Sequence, residues 1–182
     1  MNRTIEKRLD RMDTNLRLLF KDLETYTEDK LNEQPEADKW SVFQVLHHMI
    51  KVERGSMGYV NKKLSYNPEL KKAGFATSFR SMAAGAFTAI PIKIKAPAVV
   101  AANLPTDSSF WEVVKLYKET RGELRTFFAN IPDDVLNKEV YKHPIAGRMT
   151  LFGMLSFLDA HFNRHRKQIK RTLKKVDAVK QV

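Results

Sequence analysis

The stretch TLFGMLSFLDAHFNRHRKQIKRTLKK, residues 150–175, decides which fold the sequence can adopt. Apolar and histidine side chains recur in it at steps of three and four residues, the spacing of one face of an α-helix. Thr150 stands before the first apolar residues and can cap the N-terminus of such a helix. The stretch therefore predicts a long helix that turns one face toward the protein interior. The members of that face are Met154, Leu158, His161, His165, Gln168 and Thr172.

Three earlier segments show the same helical periodicity. Ser41 and Gln44 have the spacing of a capping box at the start of the second helix, and Ser108 or Ser109 can cap the third. Four long amphipathic helices without convincing hairpin signals predict an all-α four-helix bundle. The predicted bounds of the first three helices are residues 4–33, 41–64 and 108–131.

The segments between these helices differ in length. A shorter helix is predicted from Pro68 to about Gly74. Residues 75–106 contain three prolines, which forbid one long helix there and predict a long crossover connection with extended pieces between helices two and three. Residues 132–149 are predicted to form a connection with one turn of helix. The tail after about residue 176 is expected to fray.

Composition limits the class of protein. A chain of 182 residues is most economically one domain, residues 1–182, with a core of its own. The absence of cysteine excludes a disulfide scaffold and a thiolate metal site. The charged N-terminus has no apolar signal region, and no stretch is apolar enough to span a membrane. A soluble, cytoplasmic protein is expected.

The formal net charge of +11 is concentrated near the C-terminus, where residues 164–175 hold seven Lys or Arg and no acid. Such a run could contact phosphates of a nucleic acid. A solvated helix end is the favoured interpretation, because cations complement the negative end of the helix dipole. The aromatic and glycine-rich pattern of an RNA-binding module is also missing.

Histidines supply the functional signal. His161 and His165 are four residues apart, so their Cβ atoms lie about 5–6 Å apart on one helix face and can reach one ion. This pair alone supplies only two ligands for a metal ion, and helix two offers His47 or His48 as the third. Helical periodicity does not choose between these two, because each aligns with apolar neighbours.

Two signatures resemble those of the DinB/YfiT-like superfamily. The segment KWSVFQVLHHM, residues 39–49, has Trp-Ser with a histidine eight residues after the tryptophan. The segment HPIAGRMTLFGMLSFLDAHFNRHRKQI, residues 143–169, has a His-x3-His pair followed three residues later by Gln. IKIKAPAVV, residues 92–100, is also similar to a DinB-like subgroup. The resemblance covers nearly the whole chain in the expected order.

The resemblance implies a bundle in which His48, His161 and His165 bind a divalent metal, Zn or Ni, while His47 is not a ligand. It also implies a metal-dependent enzyme acting on a small molecule, either a hydrolase or a transferase that uses a low-molecular-weight thiol. A non-catalytic metal-binding or stress-response module is the alternative. Family members often dimerise, and the apolar residues 82–100 could contribute to a homodimer surface.

Three neutral imidazoles leave coordination positions open, which is typical of catalytic metal sites. Gln168 lies one turn beyond His165 and could hydrogen-bond to a ligand or a substrate. Glu53 and Asp159 are available acids for orienting the histidines, but their spacing does not show that either reaches the site. His143 is expected to anchor a loop and not to bind metal.

Overall fold

A computed structural model describes residues 1–75, 77, 101–144 and 146–179 of the chain. It confirms the all-α bundle, to which a small hairpin is added. The elements are α1 (Arg3–Leu23), α2 (Glu28–Asn32), α3 (Val42–Leu64), α4 (Phe110–Asn130), a 3₁₀ turn (Asp133–Val135), β1 (Tyr141–His143), β2 (Gly147–Met149) and α5 (Leu151–Val179).

Two apolar clusters fill the bundle, one at each end. Ile5 near the start of α1 and Met154 near the start of α5 share one cluster with Leu124 near the end of α4. Phe43 at the start of α3 and Phe162 farther along α5 belong to the other. The long helices α1 and α5 therefore run in one direction, and α3 and α4 run in the other. Because α3 and α4 are parallel, the chain must cross the length of the bundle between them.

Local capping explains where the helices begin. Ser41 and Gln44 form the predicted capping box of α3. Ser109, rather than Ser108, caps α4 by accepting a hydrogen bond from the Glu112 N–H. The Thr150 hydroxyl accepts a hydrogen bond from the Gly153 N–H, at 3.1 Å, in the first turn of α5.

The prediction of one first helix over residues 4–33 was wrong. The helix α1 ends at Leu23, and the separate short helix α2 begins at Glu28. Thr25 donates its hydroxyl proton to the Asp22 carbonyl, and Thr27 caps α2 by accepting from the Lys30 N–H. These side chains offer the backbone an alternative to a continuing helix.

The predicted helix from Pro68 to Gly74 is also absent from the structure. Residues 67–74 are not helical, and Lys72 instead forms an antiparallel bridge with Lys138. The Ala73 N–H donates to the Asn137 carbonyl, at 3.2 Å, so the backbone groups of this segment are satisfied by a distant partner.

The hairpin of β1 and β2 was not predicted, because the sequence shows no convincing hairpin signal and this segment was expected to be a connection with one turn of helix. Strands β1 and β2 pair antiparallel, with Tyr141 opposite Met149 and His143 opposite Gly147. Gly147 begins β2 with a φ of 80°, a conformation that favours glycine. The predicted single helical turn in this connection is confirmed by the 3₁₀ turn that precedes the hairpin.

Other predictions concern residues at the edge of the described chain or beyond it. Helix α5 continues to Val179, past the predicted start of the frayed tail, and residues 180–182 lie outside the described residues. The extended pieces of the crossover and the homodimer surface at residues 82–100 fall almost wholly outside them as well. Among the described residues, no helix is both long enough and apolar enough to cross a membrane.

Candidate metal centre

Three histidines converge between α3 and α5. The Nε2 atom of His161 lies 3.3 Å from Nε2 of His48 and 3.0 Å from Nε2 of His165. One ring nitrogen from each of the three residues lies within 4.8 Å of the other two. His48 and His165 are buried, and His161 is partly buried. The structure thus brings together the three histidines to which the sequence resemblance pointed.

The geometry and chemistry of this histidine triad fit a divalent ion. Nitrogen atoms that share one tetrahedral zinc ion lie about 3.3 Å apart, since each Zn–N distance is about 2.0–2.1 Å. Two of the nitrogen–nitrogen distances in the triad are close to this value. Imidazole suits zinc and nickel, and within the described residues the cluster holds no carboxylate.

Electrostatics keep two rings of the triad, those of His161 and His165, in the neutral form. Burial, followed by the proximity of His165 and His48, lowers the pKa of His161 well below its ordinary value of 6.5. Burial and His48 lower the pKa of His165 to about 3. Both rings are therefore neutral at physiological pH, and neutral imidazole is the form that coordinates a cation.

Gln168 orients one ring of the triad. Its side-chain oxygen lies 2.8 Å from Nδ1 of His165 and accepts a hydrogen bond from it. That contact places the ring proton on Nδ1 and leaves the lone pair of Nε2 pointing toward the other two histidines. Gln168 thus contacts a triad histidine, one of the two roles that its spacing allowed.

Aromatic rings enclose the triad on two sides. The Trp40 ring lies 4.8 Å from the His48 ring, and the Phe157 ring lies 5.3 Å from the His161 ring. Neither aromatic residue was predicted to belong to the site. A signal was available for Phe157, because it stands four residues before His161 on the same face of α5.

His47 points to a different part of the fold. Its Nε2 atom is 2.9 Å from the Ser108 hydroxyl, next to the start of α4. Burial and then the Lys51 charge lower the pKa of His47. The structure therefore resolves the choice that periodicity left open: His48, and not His47, lies in the triad.

The two acids considered for the site have other partners. Glu53 is buried beside Tyr117 and Arg121, and its Oε1 atom accepts from the Tyr117 hydroxyl at 3.0 Å. Desolvation raises the pKa of Glu53. The buried Asp159 forms an ion pair with the exposed Arg11. Neither acid belongs to the triad cluster.

His143 anchors the hairpin, as expected. Its Nδ1 atom accepts a hydrogen bond from the Ala146 N–H, at 3.0 Å, across the turn. In the basic C-terminal run, Lys175 forms an ion pair with Glu36, and the charges of Arg164 and Arg171 contribute to the low pKa of His165.

In this bundle α1 and α5 run in one direction and α3 and α4 in the other. Three histidines on the facing helices α3 and α5 point inward, and this arrangement defines the class of the protein. The family model of the DinB superfamily matches residues 8–169, and the chain belongs to that superfamily. The uncharacterized protein YuaE of Bacillus subtilis (strain 168) is 22% identical over 165 residues, which cover 87% of this chain and 92% of YuaE.

One solved structure is similar over most of the chain. YfiT from Bacillus subtilis is described as "a probable metal-dependent hydrolase with an unusual four-helix bundle topology". The two structures match with a TM-score of 0.60 at 16% sequence identity, covering 94% of this chain and 87% of YfiT. At this level of identity the likeness shows the fold alone.

Proposed function

We propose that this protein is a divalent-metal-dependent hydrolase of small molecules, with His48, His161 and His165 as the metal ligands. The observation that carries the proposal is the convergence of three buried or partly buried imidazoles at nitrogen separations of 3.0 and 3.3 Å. Zinc or nickel is the proposed ion, because both are bound well by imidazole. The description of YfiT as "a probable metal-dependent hydrolase" supports the reaction class.

The residues around the triad have distinct roles in this proposal. Gln168 holds the His165 ring with its Nε2 lone pair directed inward. Trp40 and Phe157 shield the triad from bulk water on two sides and present apolar surface to a bound molecule. A divalent ion with three neutral ligands keeps coordination positions open and supplies Lewis acidity for hydrolysis.

Metal binding is tested first, by calorimetric titration of metal-stripped protein with Zn²⁺, Ni²⁺ and Co²⁺. We expect one ion per chain, and we expect His48→Ala, His161→Ala or His165→Ala to abolish tight binding. His47→Ala is the matched control, because it removes the adjacent histidine on the same helix and should keep metal affinity within about threefold. Equal losses from His47→Ala and His48→Ala would contradict the ligand assignment.

Catalysis is then tested by assaying the metal-loaded protein against a panel of esters, amides and lactones of low molecular weight. Turnover that disappears on chelation, returns with metal and is absent from His161→Ala would support a hydrolase. Tight metal binding without turnover of any panel member would favour the non-catalytic module. Adding low-molecular-weight thiols with electrophiles to the same panel tests the transferase type.

A further inference from the structure

Two arginines lie beside the histidine row of α5. Arg164 follows His161 by three residues, and Arg171 follows Gln168 by three, so each stands on the helix face next to that row. Arg164 is half-buried and Arg171 is exposed. Long side chains on a helix lean toward its N-terminus, which directs the Arg171 guanidinium back over the turn that holds Gln168. The two arginines therefore form one rim of the triad.

The charges at this rim act on the triad. Both arginines are among the influences that lower the pKa of His165, as expected of cations on an adjoining face. A third cation, Lys51, follows His48 by three residues on the facing helix α3. Its Nζ atom donates hydrogen bonds to the carbonyls of Ala102 and Asn103, at 2.7 and 3.2 Å. Cations thus come to the triad region from both helices that carry the histidines.

The acids of α3 and α5 are paired elsewhere. Each of the three forms an ion pair with a cation of another helix: Glu53 with Arg121, Asp159 with Arg11, and Asp177 with Lys30. None of the three belongs to the triad cluster. Residues 70–106, which include the segment that Lys51 contacts, contain no Asp or Glu at all. A molecule bound at the triad therefore meets positive charge, to which a divalent ion would add.

We propose that the triad takes small molecules that carry an oxyanion, a carboxylate or a phosphate, and that Arg171 holds this group at the rim. The proposal rests on the proposed function and narrows its substrate class. A guanidinium presents two parallel N–H donors that match the oxygens of a carboxylate or phosphate. Among the described residues Arg171 has no acidic partner, so its donors are available. Arg171 is a specificity-determining residue in this arrangement and takes no part in bond cleavage.

Two matched substitutions separate the position of Arg171 from its charge. Arg171→Gln removes one positive charge from the rim of the triad. Arg166→Gln removes the same charge from the same helix, but Arg166 lies five residues away, about 140° around α5 from Arg171. Neither arginine is buried, so both variants are expected to fold. Arg166→Gln is therefore the control for the net charge of the helix.

The test uses Co²⁺-loaded protein and hydroxamates, with affinities read from the visible spectrum of cobalt. The monohydroxamates of succinic and glutaric acid end in a carboxylate, and their monoamides end in a neutral carboxamide of the same shape. We expect the wild type to prefer the carboxylates. Arg171→Gln should reduce that preference about threefold to fivefold, the loss for an exposed ion pair, and Arg166→Gln should change it less than about 1.5-fold. Phosphonates of the same lengths show which oxyanion binds more tightly, and either order supports the proposal.

Three results would overturn the proposal while leaving metal binding intact. Equal affinities of the wild type for the carboxylates and the carboxamides would refute the substrate class. An unchanged preference in Arg171→Gln at both chain lengths would show that Arg171 does not hold the oxyanion. Equal reductions in Arg171→Gln and Arg166→Gln would assign the preference to the net charge of α5. Failure of the wild type to bind Co²⁺ would instead refute the proposed function, and this proposal with it.

Discussion

Acidification should destabilise the metal-free protein through His161 and His165, whose pKa values are lowered in the folded state. Burial lowers the pKa of His165 to about 3 and that of His161 well below 6.5. In the unfolded chain both return to about 6.5. The unfolded state therefore binds more protons as the pH falls below 6.5, so stability is full above that value and is lost toward the folded pKa.

The size of this loss of stability follows from the protonation of the two histidines in the unfolded chain. Protonation of an imidazole with a pKa of 6.5 favours the unfolded state by a factor that rises about tenfold between pH 7.5 and 5.5. In the folded state, a pKa near 3 leaves His165 unprotonated over the same range. Each such histidine then costs about 1.4 kcal/mol of unfolding free energy over this range. Because the pKa of His161 is also lowered well below 6.5, the two together cost up to about 2.7 kcal/mol, a large share of the 5–15 kcal/mol typical of a domain.

Urea denaturation of chelator-treated protein at pH 7.5, 6.5 and 5.5 measures this loss. Each variant is compared with itself across pH, so any general change in its stability cancels. His165→Gln should reduce the pH-dependent loss by about 1.4 kcal/mol, and His161→Gln should reduce it by up to about the same amount. Lys167→Gln, an exposed position on the same helix, is the control and should keep the full wild-type loss. An unchanged loss in both histidine variants would refute the assignment of lowered pKa values to the triad.

Three more predictions follow from contacts around the triad and in the core. The Trp40 ring lies 4.8 Å from the His48 ring, and in a Trp111→Phe variant Trp40 is the remaining tryptophan. Ni²⁺ should therefore quench most of the fluorescence of that variant. Unchanged emission when calorimetry shows the site to be saturated would contradict this position of Trp40. Gln168→Leu should weaken Zn²⁺ binding at least about tenfold by calorimetry, since it removes the partner of a ligand. Glu53→Gln should cost about 3 kcal/mol in urea denaturation, because it removes the nearest countercharge of the buried Arg121 and leaves only Asp13, at 3.7 Å, whereas Glu53→Leu combined with Arg121→Met should cost less.

Patterns within a single helix were predictable from the sequence. The α3 capping box and the Thr150 cap depend on residues three apart in the chain, and the His161–His165 pair depends only on helical spacing. These features are local, so the residue types and their intervals carry the information.

Features set by distant contacts were not predictable in this way. The segment at Ala73 is extended because it pairs with Asn137, and the Tyr141 hydroxyl of the hairpin meets Ser56 at 3.1 Å. The choice between His47 and His48 likewise depends on contacts with distant parts of the chain. The two lie on adjacent faces of α3, and only the placement of α5 and of the Ser108 segment decides which ring joins the triad.

Metal binding at the proposed site would also be coupled to folding. Its nitrogen lone pairs converge at 3.0 and 3.3 Å in a largely desolvated space, where they repel one another unless a proton or a cation lies between them. The lowered pKa values show that an additional proton, which would turn a ring into an imidazolium, is disfavoured there, because its charge is poorly solvated and adjoins Arg164. A divalent ion gains three neutral ligands at once, which a single proton cannot do. An ion at a thousand times its dissociation constant would stabilise the fold by about 4 kcal/mol, provided that the unfolded chain does not bind it. The bundle around His48, His161 and His165 is therefore expected to be most stable when it holds metal.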